Sequence, residues 1–155
     1  MFSNLQKSYS VLISSVLLGC TDPSVLSESC DSEQVAVVRF LKDNIITLKR
    51  LTSQQEMLGW VLKCGEGFKH TVAEVGGLSN ILIPPKVSGC KVSALVHTHP
   101  RVPKGYTVDF FSEEDIKTTY RWNSYILSQE NCNIRFGSKL ENRDGVLLGK
   151  LKFCK

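Results

Sequence analysis

A chain of 155 residues, 42% hydrophobic and 22% charged, has the size and make-up of a single globular domain able to bury its own core. Its 19 basic and 15 acidic residues give a net charge of +4, which favours no particular partner. No basic stripe interleaved with aromatic residues occurs, so nucleic-acid binding has no support.

The first 19 residues contain no acid, the single base Lys7 and an apolar stretch from Val11 to Leu18. About 20 apolar residues are needed to span a bilayer as a mature helix. The stretch is shorter than that and has the length and polarity of an export-signal core. It closes with Leu17, Leu18, Gly19 and Cys20, which resembles a bacterial lipobox. We therefore expect residues 1–19 to be a lipoprotein signal peptide and Cys20 to be lipidated, anchoring the exported protein in the cell envelope, on the outer-membrane or periplasmic side. The alternatives are an ordinary cleaved signal with an incidental Cys, or an N-terminal anchor. Residues 20–31 mix small and polar side chains with Pro23 and read as a tether, leaving residues 32–155 as the domain.

With Cys20 set aside, Cys30, Cys64, Cys90, Cys132 and Cys154 allow at most two bridges and one free thiol. No Cys-x-x-Cys pair is present, so a thiolate zinc site is disfavoured. Disulfides in an oxidising compartment are the sharper reading, with several buried reduced thiols acting as small hydrophobes as the alternative, and Cys64 with Cys90 is the favoured pair because they follow and precede candidate strands.

The domain opens with Asp31, Ser32, Glu33 and Gln34 in a capping-box arrangement. Val38, Leu41, Ile45 and Leu48 then recur at helical spacing, with Lys49 and Arg50 at the end that favours cations. Glu56 to Cys64 and Phe68 to Glu74 read as a hairpin around Gly65, Glu66 and Gly67. Gly76 to Gly89 reads as a long connection with at most a short strand, and Lys91 to His99 as the next strand. Ser112 to Trp122 has an acidic first turn and reads as a helix. Tyr125 to Ser128, Ile134 to Gly137 and Val146 to Phe153 close the sheet. The expected class is α/β in the broad sense (α+β), a curved mixed sheet flanked by helices.

The chemistry concentrates in Val96 to Ile116. His97 and His99 lie two apart on a strand, so both imidazoles leave the same face while Thr98 points away. Such a pair is bidentate toward a metal ion. Asp115, one turn into the following helix, can complete a set of two His and one carboxylate, the ligand count of catalytic zinc. Ser112 and Asp115 also have the spacing of a plain capping box, and the two roles are compatible. A proton shuttle is the remaining need, for which Glu56 at the head of a strand competes with Glu66 and Glu74. His70 has no partner motif and reads as structural, and Trp60 and Phe68 read as core.

His97-Thr98-His99-Pro100, then Ser112-x-x-Asp115, with Glu56-Met57-Leu58-Gly59 upstream, resembles the JAB/MPN/JAMM metallopeptidase superfamily, most nearly an uncharacterised bacterial branch with the form HTHP, loop, FSxxD. The resemblance spans about residues 32 to 153. It implies an MPN-type, cytidine-deaminase-like sheet, Zn2+ held by His97, His99 and Asp115, Glu56 as general acid and base, and Ser112 polarising the scissile carbonyl. The chain departs from the pattern in the twelve residues between His99 and Ser112, a longer interval than the usual motif has. A zinc-dependent hydrolase of amide bonds, a peptidase or isopeptidase with a protein or peptide substrate, is the function so implied. The alternatives are a non-catalytic MPN-like binding module and an exported effector or toxin-like domain.

Overall fold

The structure is a computed structural model and describes residues 27–77, 82–101 and 109–154. The expected signal peptide and the lipidation site at Cys20 lie outside the described residues.

Helix α1, Glu33–Asp43, starts one residue later than the sequence suggests. Ser32, in an extended conformation, is its N-cap and accepts from Val35 N at 3.2 Å, so Asp31 and Gln34 do not form the expected capping box. The hydrophobic spacing that reads as one helix is divided at Asn44. Its side chain donates to Phe40 O at 2.8 Å and ends α1, and α2, Ile45–Arg50, follows as a separate piece.

Strands β1, Glu56–Cys64, and β2, Gly67–His70, form the expected hairpin. Its two-residue turn begins with Gly65 at φ +59°, the conformation a II′ turn requires at that place. The single strand read over Phe68 to Glu74 is instead two. After His70 the chain departs from regular pairing, and Thr71 Oγ1 accepts from Trp60 N while Thr71 N donates to Trp60 O, each at 3.0 Å. The chain then rejoins the same edge of β1 as β3, Glu74–Gly76. No strand occurs among residues 82–89, as the long connection implies.

Strand β4, Cys90–His99, runs antiparallel to β1, with Leu58 opposite His97. Helix α3, Glu113–Thr119, is shorter than the Ser112 to Trp122 expected, and the chain then enters β5, Asn123–Ser128, parallel to β4. Strands β6, Asn133–Gly137, and β7, Val146–Lys150, complete the sheet antiparallel, with β7 ending before the Phe153 expected. The order is β2-β1-β4-β5-β6-β7 with β3 beside β1, a curled mixed sheet flanked by helices.

One face of the sheet packs on α1. Phe40, Leu41, Met57, Val61, Val96 and Leu127 are buried together there. The ring of Phe40 lies so close over β1 that a Cβ on Gly59 would sit 2.2 Å from it, so only glycine lets α1 approach. The opposite face buries Trp60, Leu62 and Leu95, with Trp122 edge-on to Trp60 at 5.1 Å. Trp60 is therefore core, as the sequence indicates, and Phe68 packs half-buried against the first cluster.

Cys64 and Cys90 form the expected disulfide between paired strands, with Cα atoms 4.3 Å apart. Cys132 and Cys154 form a second one, and Cys30 is a buried thiol. Cys30 exchanges main-chain hydrogen bonds with Phe68, and Ser27 Oγ accepts from His70 N at 2.7 Å, so the end of the segment read as a tether is packed on β2. The His70 ring contacts Thr71 O at 2.9 Å and Asp43 Oδ2 at 3.1 Å, a structural role. Among the described residues no helix is long and apolar enough to cross a membrane.

Candidate metal centre

Strand alternation puts the side chains of His97 and His99 on one face at the end of β4, where both are buried. Asp115 comes from the first turn of α3. Ser112 caps that helix: its Oγ accepts from Asp115 N at 3.1 Å, and its own N–H donates to Asp115 Oδ2 at 2.7 Å. The capping box thus fixes the carboxylate that faces the histidines. Phe111, fully buried, holds the helix start in turn through Phe111 N to Arg143 O at 3.0 Å and Arg143 Nε to Phe111 O at 2.8 Å.

The three side chains converge. His97 Nε2 lies 3.0 Å from Asp115 Oδ1, His99 Nε2 lies 3.1 Å from Asp115 Oδ2, and the two Nε2 atoms are 3.2 Å apart. Tetrahedral zinc with bonds near 2.0–2.2 Å sets ligand-to-ligand separations of roughly 3.3 Å. The observed spacing fits such an ion with little adjustment, and His97, His99 and Asp115 could hold a metal ion. One departure from common metal sites is His97 Nδ1, which is buried without a hydrogen-bond partner among the described residues, where a ligating His usually donates to an outer group.

Electrostatics agree with the geometry. Burial opposes charge on Asp115, but His97 and His99 outweigh it and hold the carboxyl far below its ordinary range. Burial likewise opposes charge on His97, and Asp115, with Glu56 in support, reverses this and raises its pKa. Glu56 is raised, first because burial penalises its charge, with His97 and His99 pulling the other way.

Glu56 stands two residues before Leu58, and Leu58 is paired with His97, so alternation puts Glu56 on the histidine face. Glu66 is exposed in the β1–β2 turn, and Glu74 is exposed on β3 opposite Leu58. Glu56 interacts electrostatically with both histidines and Asp115.

Two contributors escape sequence reasoning. Thr98, between the histidines, accepts from Met57 N at 2.9 Å and from Gln129 Nε2 at 3.1 Å. Gln129 also donates from Nε2 to Gln55 O and from its main chain to His99 O, each at 3.1 Å. These bonds join the start of β1 to the end of β4. The sequence offers no signal for Gln129, which follows β5 outside any periodic pattern.

A cavity of about 810 Å³ runs along α1 past Ser27, Val35, Arg39 and Asp43, and contains none of the site residues. The candidate ligands sit elsewhere, at the end of β4 and the start of α3. No family model matches the chain, and neither does any curated protein or solved structure.

Proposed function

We infer that the chain is a zinc-dependent hydrolase of amide bonds acting on a protein or peptide. The observation that carries this reading is the convergence of two buried imidazoles and a capped carboxylate, with Glu56 on the same face. A curled mixed sheet bearing His-x-His at a strand end and Asp in the next helix is compatible with an MPN-type fold.

His97, His99 and Asp115 would hold the ion. Bound zinc would supply an electrophile that acidifies water and polarises an amide carbonyl. Glu56 takes the proton of the attacking water and returns it to the leaving amine, a role suited to a carboxyl raised toward neutrality by burial. Ser112 Oγ accepts from Asp115 N, and its O–H would donate toward the developing oxyanion.

The binding-module reading draws on one observation: Ser112 and Asp115 are each engaged in capping α3, a role complete without catalysis. Metal content and peptide hydrolysis of the purified protein, beside His97→Ala, separate these readings. Stoichiometric zinc with hydrolysis, both lost in the variant, is expected. Zinc without hydrolysis of any peptide leaves the binding module, and no zinc after reconstitution removes the hydrolase.

We place the protein in the cell envelope with a lipid anchor at Cys20 and the membrane as its second partner. Two disulfides support an oxidising compartment. Fatty-acid labelling lost in Cys20→Ser is the expected result.

A further inference from the structure

A second cavity, of about 370 Å³, opens beside β1 where β2 gives way to β3. Trp60, Val72, Ile83, Pro84 and Pro85 give it mainly apolar walls, and Thr71, Glu74 and Lys86 complete the lining. Its volume is at the small end of the range for ligand pockets, roughly 300–1,000 Å³. Val72 and Ile83 are 40% and 75% exposed, an unusual position for large aliphatic side chains grouped at one opening.

The sheet register relates this cavity to the metal centre. Glu74 is paired with Leu58, and Leu58 with His97, so the three side chains stand in one row on one face. Neighbouring strands lie about 4.8 Å apart, so the row spans roughly 10 Å, the reach of three residues of extended peptide. Half-buried Leu58 forms an apolar floor between the two ends. The wall carries one further feature: Trp60 is 2% exposed, and its indole Nε1–H is buried without an acceptor among the described residues. An unmade hydrogen bond of this kind is unfavourable, and a small tilt of the ring toward a ligand carbonyl would complete it.

We propose that this cavity is a substrate subsite, which takes an apolar side chain of the peptide about three residues from the bond cleaved at the metal centre. The assignment rests on reading that centre as an amide hydrolase. Its occupant is apolar because most of the lining is, and peptidic because the distance is that of a short extended segment lying over Leu58. Selectivity then comes from a place separate from the metal ligands. Substrates with glycine at that position lose the contact, and those with leucine keep it.

The test uses the full chain free of metal, labelled with 15N, so that neither zinc nor catalysis contributes. The chain has two tryptophans, so its spectrum has two indole N–H signals, and Trp60→Phe assigns them. N-acetyl-leucinamide should shift the Trp60 signal saturably, while N-acetylglycinamide should not. Ile83→Asp, a change at an exposed rim position that the fold tolerates, should weaken the leucine compound about tenfold or more, as burial of one aliphatic side chain implies. No saturable shift, an equal shift with the glycine compound, or undiminished binding in Ile83→Asp overturns the subsite. Saturable binding in a zinc-loaded protein that cleaves no peptide keeps the cavity as a side-chain site and overturns the hydrolase. Cleavage indifferent to leucine or glycine at that position overturns the subsite alone.

Discussion

Thr98 Oγ1 accepts the main-chain N–H of Met57 at 2.9 Å, so a side chain between the two histidines holds the residue that follows Glu56. Gln129 Nε2 donates to the same oxygen at 3.1 Å. Both Thr98 and Gln129 are buried, so water does not replace a lost partner. Thr98→Val keeps the shape, removes the acceptor and strands two donors. It should cost about 1–3 kcal/mol in chemical denaturation of the metal-free protein. Thr98→Ser, which restores the oxygen, should recover most of that loss.

How much of this was legible in the sequence depends on whether the determinant is local. The run Glu56 to Cys64 and the histidine strand declare themselves by composition and by their turns, and the Cys64–Cys90 bridge follows from their being neighbours. The ligand set is legible because alternation and helix capping are short-range rules, and both operate within Val96 to Ile116. The division into β2 and β3 is not legible, since it turns on Thr71 bonding to Trp60, a contact between segments. Nor is the break at Asn44, because the aliphatic spacing continues across it to Leu48 while the Asn side chain ends the helix. Gln129 acts only after β5 has been placed beside β4.

The Cys64–Cys90 bridge closes a loop of 26 residues and lies at the opposite end of β1 and β4 from the metal centre. Loop-closure entropy for that length amounts to about 3.5 kcal/mol. Cys64→Ser with Cys90→Ser should lower unfolding stability by an amount of that order. Zinc affinity should stay within about threefold, because the ligands remain tied through Thr98 and Gln129. A collapse of zinc binding at a temperature where the variant is folded would show that the bridge shapes the site.

In the metal-free protein, Asp115 and His97 make stability depend on pH in opposite directions. Asp115 is depressed in the fold, so its contribution is present above the ordinary value of 3.8 and is lost as pH falls through the folded one. His97 is raised, so its contribution is present below the ordinary value of 6.5 and is lost as pH rises through the folded one. Both are in force between those two pH values. Asp115→Asn leaves an uncompensated buried imidazolium, a loss of about 3 kcal/mol for such pairs. The deficit against wild type in thermal or denaturant unfolding should therefore peak between pH 3.8 and 6.5 and shrink on either side. A deficit that grows steadily toward alkaline pH would contradict the pairing.

Asp115 and Glu56 share a face and a charge but are asked to do different things, and their variants should separate. Asp115 is one of three groups whose atoms converge within 4.8 Å, and it supplies the only negative charge among them. Asp115→Asn should therefore lower zinc affinity by more than the roughly 10- to 100-fold typical of losing an outer-sphere partner. Glu56 lies outside that cluster, and its raised pKa comes first from burial. Glu56→Gln should bind zinc as wild type does while hydrolysis falls about 10² to 10⁴-fold, the usual loss when positioned proton transfer is removed. The acidic limb of the pH profile of kcat/KM, which reports the base in the free enzyme, should be present in wild type and vanish in Glu56→Gln. Full activity in Glu56→Gln would take the proton-transfer role away from Glu56 and overturn that acid and base mechanism, since Glu66 and Glu74 are both exposed away from the ligand cluster.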